Sequence, residues 1–209
     1  KFNKEPTVKW MDVVNETILP NGKWFGPKKG TNKWENPWLK IGLDDNGCPL
    51  YILKAFEIAT KYATNIKLVY NHNAGMESFM WDKVKETILY IRSKGYRVDG
   101  IGWQAHIGLS ASTKAILENT DEELRKLSDL IDWAHKNNLE FHITELDYFV
   151  KDNNKLSEEH QKQAEIYAKI VNILREKIKS RVVTLNFWDM AVRTKKGKEG
   201  AFHSIYDSD

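Results

Sequence analysis

Two glutamates carry the first chemical signal in the chain. Glu16 and Glu145 each stand at the end of an apolar, strand-like run, Val8 to Asn15 (VKWMDVVN) and Glu140 to Leu146 (EFHITEL). Glycoside hydrolysis needs such a pair. One carboxyl protonates the leaving oxygen, and the other acts from the opposite side of the anomeric carbon as nucleophile or base. With retention of configuration the two carboxyls stand roughly 5–5.5 Å apart. A strand-end glutamate taken singly is ordinarily a salt-bridge partner, so the pair gains its meaning from its neighbours.

Those neighbours are polar and regularly spaced. Strand alternation puts Glu145 and Asp147 on one face, and it likewise pairs Gln104 with His106 after Gly100 and Gly102. His106 is expected to bridge Asp147 and Glu145, holding Glu145 ionised and oriented. Asn15 and Glu16 are adjacent, so a bulge or the end of the strand must re-aim one of them. The Asn15 amide then suits a sugar 2-hydroxyl, a contact that strengthens in the transition state. Tyr70 and Asn71 end another apolar run, and Trp188 and Asp189 end the last.

Other chemistries find less support. The chain has no Gly-rich phosphate loop and no Ser nucleophile elbow. His72, His106, His142 and His160 lack zinc-site spacing, so no catalytic metal is expected. Cys48, the single cysteine, precedes a proline at a helix start with no evident base beside it. It has no second cysteine within the chain with which to form a disulfide.

The elements that must position these residues alternate strand with helix. Strands are expected at Val8 to Asn15, Ile66 to Tyr70, Val98 to His106, Glu140 to Leu146 and Val182 to Trp188. Helices are expected at 49–63, at 78–94 with a stop at Gly95, at 121–137 with a cap at Thr120 or Asp121, and at 157–178. Strands that are apolar almost throughout, alternating with helices, argue an α/β fold with a parallel sheet covered on both faces. Every candidate residue falls at a strand C-terminal end, where (β/α)8 barrels keep their chemistry. Residues 1–209 show no linker composition and no repeat, which implies one domain.

Lys plus Arg number 32 against 29 Asp plus Glu, a net charge of +3 that predicts no nucleic-acid partner. No apolar run reaches the length of a membrane span, and Lys1-Phe2-Asn3-Lys4 does not read as a signal peptide. The stretch Lys195-Lys196-Gly197-Lys198 reads as a solubilising loop. Eight Trp, eight Tyr and eight Phe are present. Trp24, Phe25 and Trp34 gather in one loop with Trp38, either as platforms for sugar rings or as simple packing.

The motifs together resemble glycoside hydrolase family ten. WMDVVNETI (Trp10 to Ile18) resembles its acid/base motif and NPWLKIG (Asn36 to Gly42) the segment leading into the next helix. KLVYN (Lys67 to Asn71) and VDGIGWQAHI (Val98 to Ile107) are similar to two further strands. FHITELD (Phe141 to Asp147) resembles the nucleophile motif, and LNFWDM (Leu185 to Met190) the last barrel strand. Three positions depart from the family pattern: Met11 is an extra residue, His72 stands where Asp is usual, and Asp189 where Gly is usual.

The resemblance implies a (β/α)8 barrel of which this chain supplies roughly strands 4 to 8. It implies an endo-1,4-β-xylanase acting with retention and without cofactor, secreted to meet a polymer too large for uptake. It assigns Glu16 as acid/base and Glu145 as nucleophile. Asn15, Tyr70, Asn71, Gln104, His106, Asp147 and Trp188 become substrate-binding or supporting residues. A full barrel has eight strands and about 250 residues. The first strands are therefore expected from another segment, in cis or in trans. Two other readings stay open: a retaining glucanase of the same clan, and a fragment that binds xylan without cutting it.

Overall fold

The computed structural model describes residues 2–26, 37–150, 155–189, 193–194 and 201–203. The loop Lys195–Lys198 and Trp34 lie outside them. The chain forms two compact units, Lys1–His72 with Glu77–Gly102, and Asn73–Met76 with Trp103–Asp209.

The first unit is built from β1 (Trp10–Asn15), α1 (Leu50–Tyr62), β2 (Lys67–His72), α2 (Ser78–Ser93) and most of β3 (Gly100–Trp103). β1 runs parallel to β2, from Trp10 opposite Lys67 to Asn15 opposite Asn71, with one slip of register between Asp12 and Val14. β3 is hydrogen-bonded beside β2. Helical spacing of apolar residues explains the packing. α1 buries Ile52, Phe56 and Ala59, and α2 buries Met80, Val84, Ile88 and Ile91. Each of these side chains larger than Ala59 contributes roughly 1.5–3 kcal/mol by leaving water. Past the end of α2 the chain reverses at Gly95, whose φ of 82° suits a residue without a Cβ.

The second unit holds β4 (His106–Ile107), α3 (Ala111–Glu118), α4 (Thr120–Lys136), β5 (Glu140–Val150), α5 (Leu156–Lys177), β6 (Val183–Phe187), β7 (Arg193–Thr194) and β8 (Ala201–His203). β5 is its centre. It pairs in parallel with β4 and with β6, and its far end, Tyr148–Val150, pairs antiparallel with β8. α4 is oriented by charge, with Asp121, Glu122 and Glu123 in its first turn and His135 and Lys136 in its last.

Several expectations are revised. The run Val98 to His106 is two strands, because Ala105 turns through a φ of 60° and breaks the ladder. Thr120 is not a side-chain cap: its hydroxyl donates to the Ile116 carbonyl, 2.7 Å away. α3 is a helix beyond those expected. It is opened by a capping box in which the Ser110 side chain accepts from Thr113 N and Thr113 answers at Ser110 N. β5 continues four residues beyond Leu146, because β4 and β8 supply partners for its extension.

Candidate active site

The Glu16 corner is made by conformation. β1 and β2 slip register between Asp12 and Val14, so Val13 is an extra residue in the ladder. Such a bulge re-aims the residues after it. The chain then leaves extended geometry at Glu16, whose φ is 53°. For a residue with a Cβ that conformation costs about 1–2 kcal/mol, so its neighbours must hold it. Glu16 N donates to the Asn71 carbonyl at 3.3 Å, and Asn71 Nδ2 donates to Asn15 Oδ1 at 3.1 Å. Asn15 is exposed while Asn71 is buried, which leaves the Asn15 amide accessible but aimed.

Tyr70 and Asn71 are neighbours on one strand and point to opposite faces. Tyr70 is fully buried, stacked on Phe56 of α1 with ring centroids 6.0 Å apart, and its hydroxyl meets Thr17 Oγ1 at 2.5 Å. Its position is that of a support beneath the residue after Glu16. Burial pushes the Tyr70 phenol far above its ordinary range, the Thr17 hydrogen bond opposing weakly, so it stays neutral.

The Glu145 corner is made by charge. β4 aligns His106 with Asp147 of β5. His106 Nδ1 sits 2.8 Å from Asp147 Oδ1, and Nε2 sits 3.3 Å from Glu145 Oε2. The expected bridge is therefore present in this unit. The Asp147 side chain is 1% exposed, that of Glu145 14%. Burial works against a charged His106 ring, yet the hydrogen bonds to Asp147 and Glu145 outweigh it and raise its pKa to about 9. At neutral pH the ring is an imidazolium that donates to both carboxylates.

Trp188 follows β6, with its backbone N donating to the Leu146 carbonyl at 3.2 Å. Its half-exposed ring stands edge-on to His106, centroids 6.2 Å apart and planes at 81°. An exposed indole face beside a partly exposed charge network is suited to a sugar ring. Between Ile143 and Leu146 the β5–β6 register slips, so Glu145 lies in an irregular stretch. Gln104 is buried one residue before the Ala105 turn.

The aromatic loop divides. The Trp24 indole donates to the Gly47 carbonyl at 2.9 Å, and Lys83 Nζ lies 5.3 Å from its ring centre, so this ring is engaged in packing. Phe25 N donates to the Thr17 carbonyl at 2.8 Å. Trp38, 61% exposed, lines an apolar cleft of about 580 Å³ beside Asn15, with Val13, Val14, Ile41 and Tyr51. Two supports escaped the sequence reading, Thr17 and His72. Strand alternation from Tyr70 points to His72, but only the fold reveals what it grips.

Parallel strands joined by helices, with polar residues gathered at strand C-terminal ends, define part of a (β/α)8 barrel. The chain belongs to glycosyl hydrolase family 10, whose model matches residues 2–195. It is 30% identical over 200 residues to the endo-1,4-beta-xylanase A of Caldicellulosiruptor saccharolyticus, covering 91% of this chain and 51% of that one. It is 29% identical over 194 residues to the endo-1,4-beta-xylanase A of Thermoanaerobacterium saccharolyticum, covering 90% of this chain and 14% of that one. The solved xylanase 10B of Thermotoga petrophila RKU-1, in complex with xylobiose, matches with 27% identity and a TM-score of 0.67. That match covers 96% of this chain and 55% of the xylanase. The chain thus spans about half, or less, of the relatives it matches.

Proposed function

We propose that this chain carries the catalytic face of an endo-1,4-β-xylanase that hydrolyses internal β-1,4 linkages of xylan with retention. The observation that carries the reading is the Asp147–His106–Glu145 network, anchored on the buried Asp147, in a member of glycosyl hydrolase family 10. In this reading Glu145 attacks the anomeric carbon, forming a glycosyl ester as the C1–O bond breaks. Glu16 gives its proton to the departing oxygen. Water then attacks the same carbon, Glu16 takes a proton back, and Glu145 leaves as a carboxylate. Two inversions restore the β configuration. The His106 cation orients Glu145 and is itself fixed by Asp147. Asn15 holds the sugar 2-hydroxyl, Asn71 steadies Asn15, and Trp188 offers its face to the ring. Gln104 and Tyr70 support these positions.

The family relatives are longer than this chain. We take the remaining strands of such a barrel, in cis or in trans, as its partner. We also place the enzyme outside the cell, where an intact polysaccharide can be met and degraded.

The test is xylan hydrolysis followed by reducing ends and by NMR of the first anomer released. Early β-anomer, absent with Glu145→Ala, supports the reading. Early α-anomer, or turnover indifferent to Glu145→Ala, overturns it. Faster release from mixed-linkage glucan than from xylan would reassign the substrate. A mass measurement addresses the partner: a companion polypeptide supports it, and an active, monodisperse monomer of 24.3 kDa refutes it.

A further inference from the structure

The ladder between β1 and β2 stops at Asn15 and Asn71. Beyond it come three contacts in chain order, each made with the end of β2. Glu16 N donates to the Asn71 carbonyl at 3.3 Å. Thr17 Oγ1 meets Tyr70 OH at 2.5 Å. Ile18 N donates to His72 Nε2 at 3.1 Å. The two side chains that β2 contributes, Tyr70 and His72, share one face of the strand. Both are anchored away from solvent. Tyr70 stacks on Phe56 of α1, and His72 meets Trp81 of α2 edge-on, centroids 6.0 Å apart. Tyr70, His72 and Thr17 are 0% exposed and Ile18 is 2% exposed.

We propose that Tyr70 and His72 are positioning residues for Glu16. They clamp Thr17 and Ile18 from the helix side of β2, so that the left-handed turn at Glu16 keeps one direction. The proposal rests on Glu16 acting as the acid/base. Neither ring reaches the surface, so neither touches substrate. Their work is to stop a strained backbone from relaxing. A strained residue persists only where its surroundings over-determine it, and here the two residues after it are held at one backbone donor and one side-chain hydroxyl. The acceptor at Nε2 requires the neutral His72 ring with its proton on Nδ1. A neutral acceptor suits a site with no room for water, where a carboxylate would be a buried charge. The consequence for function is geometric. A proton donor must come within about 2.6–3.2 Å of the leaving oxygen, and a displacement of about 1 Å can cost 100-fold in rate.

The test compares His72→Phe, which keeps ring volume against Trp81 but removes the acceptor, with His72→Gln, whose amide oxygen can replace Nε2. Tyr70→Phe removes only the hydroxyl. Rates are read on two aryl β-xylobiosides, one with a phenyl leaving group that needs protonation and one with 2,4-dinitrophenyl that does not, with azide present to replace the base-catalysed water. The expected result is a fall in kcat of about 10–100-fold on the phenyl glycoside. The dinitrophenyl rate should change less than about 3-fold, KM should hold, and His72→Gln should restore most of the loss. Equal losses on both substrates, or none on either, overturn the proposal. Glu16→Ala is the reference. If that variant shows no leaving-group dependence, the acid/base assignment has failed instead. NMR decides independently of turnover: His72→Phe must speed exchange of the Ile18 amide and shift the Glu16 Cδ signal. An unmoved Glu16 signal in a folded His72→Phe sample refutes the clamp.

Discussion

The two glutamate corners are built by different physics. At Glu16 the backbone itself is bent out of the strand, with φ at 53°, and the contacts that fix the turn include two backbone donors, one hydroxyl pair and one amide pair. At Glu145 the chain stays within β5, and the neighbours are charged or chargeable, a histidine shared between two carboxylates. Conformation aims one carboxyl and charge aims the other. The division suits the proposed roles. An acid/base must stay aimed at the leaving oxygen in both of its protonation states, and backbone geometry serves either state. A nucleophile must hold one line of approach to the anomeric carbon, and a cation hydrogen-bonded to it fixes that line.

The charged corner is the more vulnerable of the two. Glu145→Ala should lower kcat on xylan by about 10⁴-fold or more, as loss of a covalent nucleophile does. Steady-state release of reducing ends measures it. Asp147→Asn comes next. It keeps the shape but removes the charge that fixes His106, and kcat should fall about 100-fold with little change in KM. At the other corner, Asn71→Asp removes the amide donor to Asn15 Oδ1 and sets a carboxylate against it, and kcat on xylan should fall about 10-fold.

A third outcome concerns stability against pH. His106 has a folded pKa of about 9, above its unfolded value near 6.5. Its contribution, about 3 kcal/mol, is fully present below pH 6.5 and is lost as pH rises through 9. His142 behaves oppositely. Burial, weakly opposed by Glu140, lowers it to about 4. The folded state therefore prefers the neutral ring, and stability falls as pH drops from 6.5 toward 4. Urea unfolding across this range should show both limbs. His106→Gln should flatten the alkaline limb and His142→Gln the acid one.

The smallest effect separates the two backbones. Glu16→Gly should be neutral or stabilising by up to about 1 kcal/mol, while Glu16→Val should cost about 1–2 kcal/mol. At Glu145, inside β5, the order should reverse, since glycine weakens a strand and valine fits one. Thermal unfolding of the four variants checks this.

Much of this architecture is legible in the order of residues alone. The spacing of Glu145 with Asp147 reflects a strand period of 2 within β5, and it sets both acids within reach of His106. The helices at 50–62 and 78–93 reflect apolar residues recurring every three or four positions, and Gly95 reflects the need to reverse the chain. These are properties of near neighbours, and local chemistry dictates them. Other features need the tertiary structure. That Tyr70 faces α1 while Asn71 faces Asn15 depends on which side of β2 is covered. The turn at Ala105, the extension of β5 and the pairing of β7 with β8 depend on partners distant in sequence. So do the left-handed Glu16 and the contact from Ile18 to His72. A residue accepts a strained conformation only when remote groups hold it there, and no local pattern announces which groups those will be. Residue order alone sets which side chains could do chemistry and that parallel strands, or the turns beside them, carry those side chains. The packing of α1 and α2 on β2, and of β4 on β5, decided how each glutamate is held, because strain and buried charge are settled by three-dimensional surroundings.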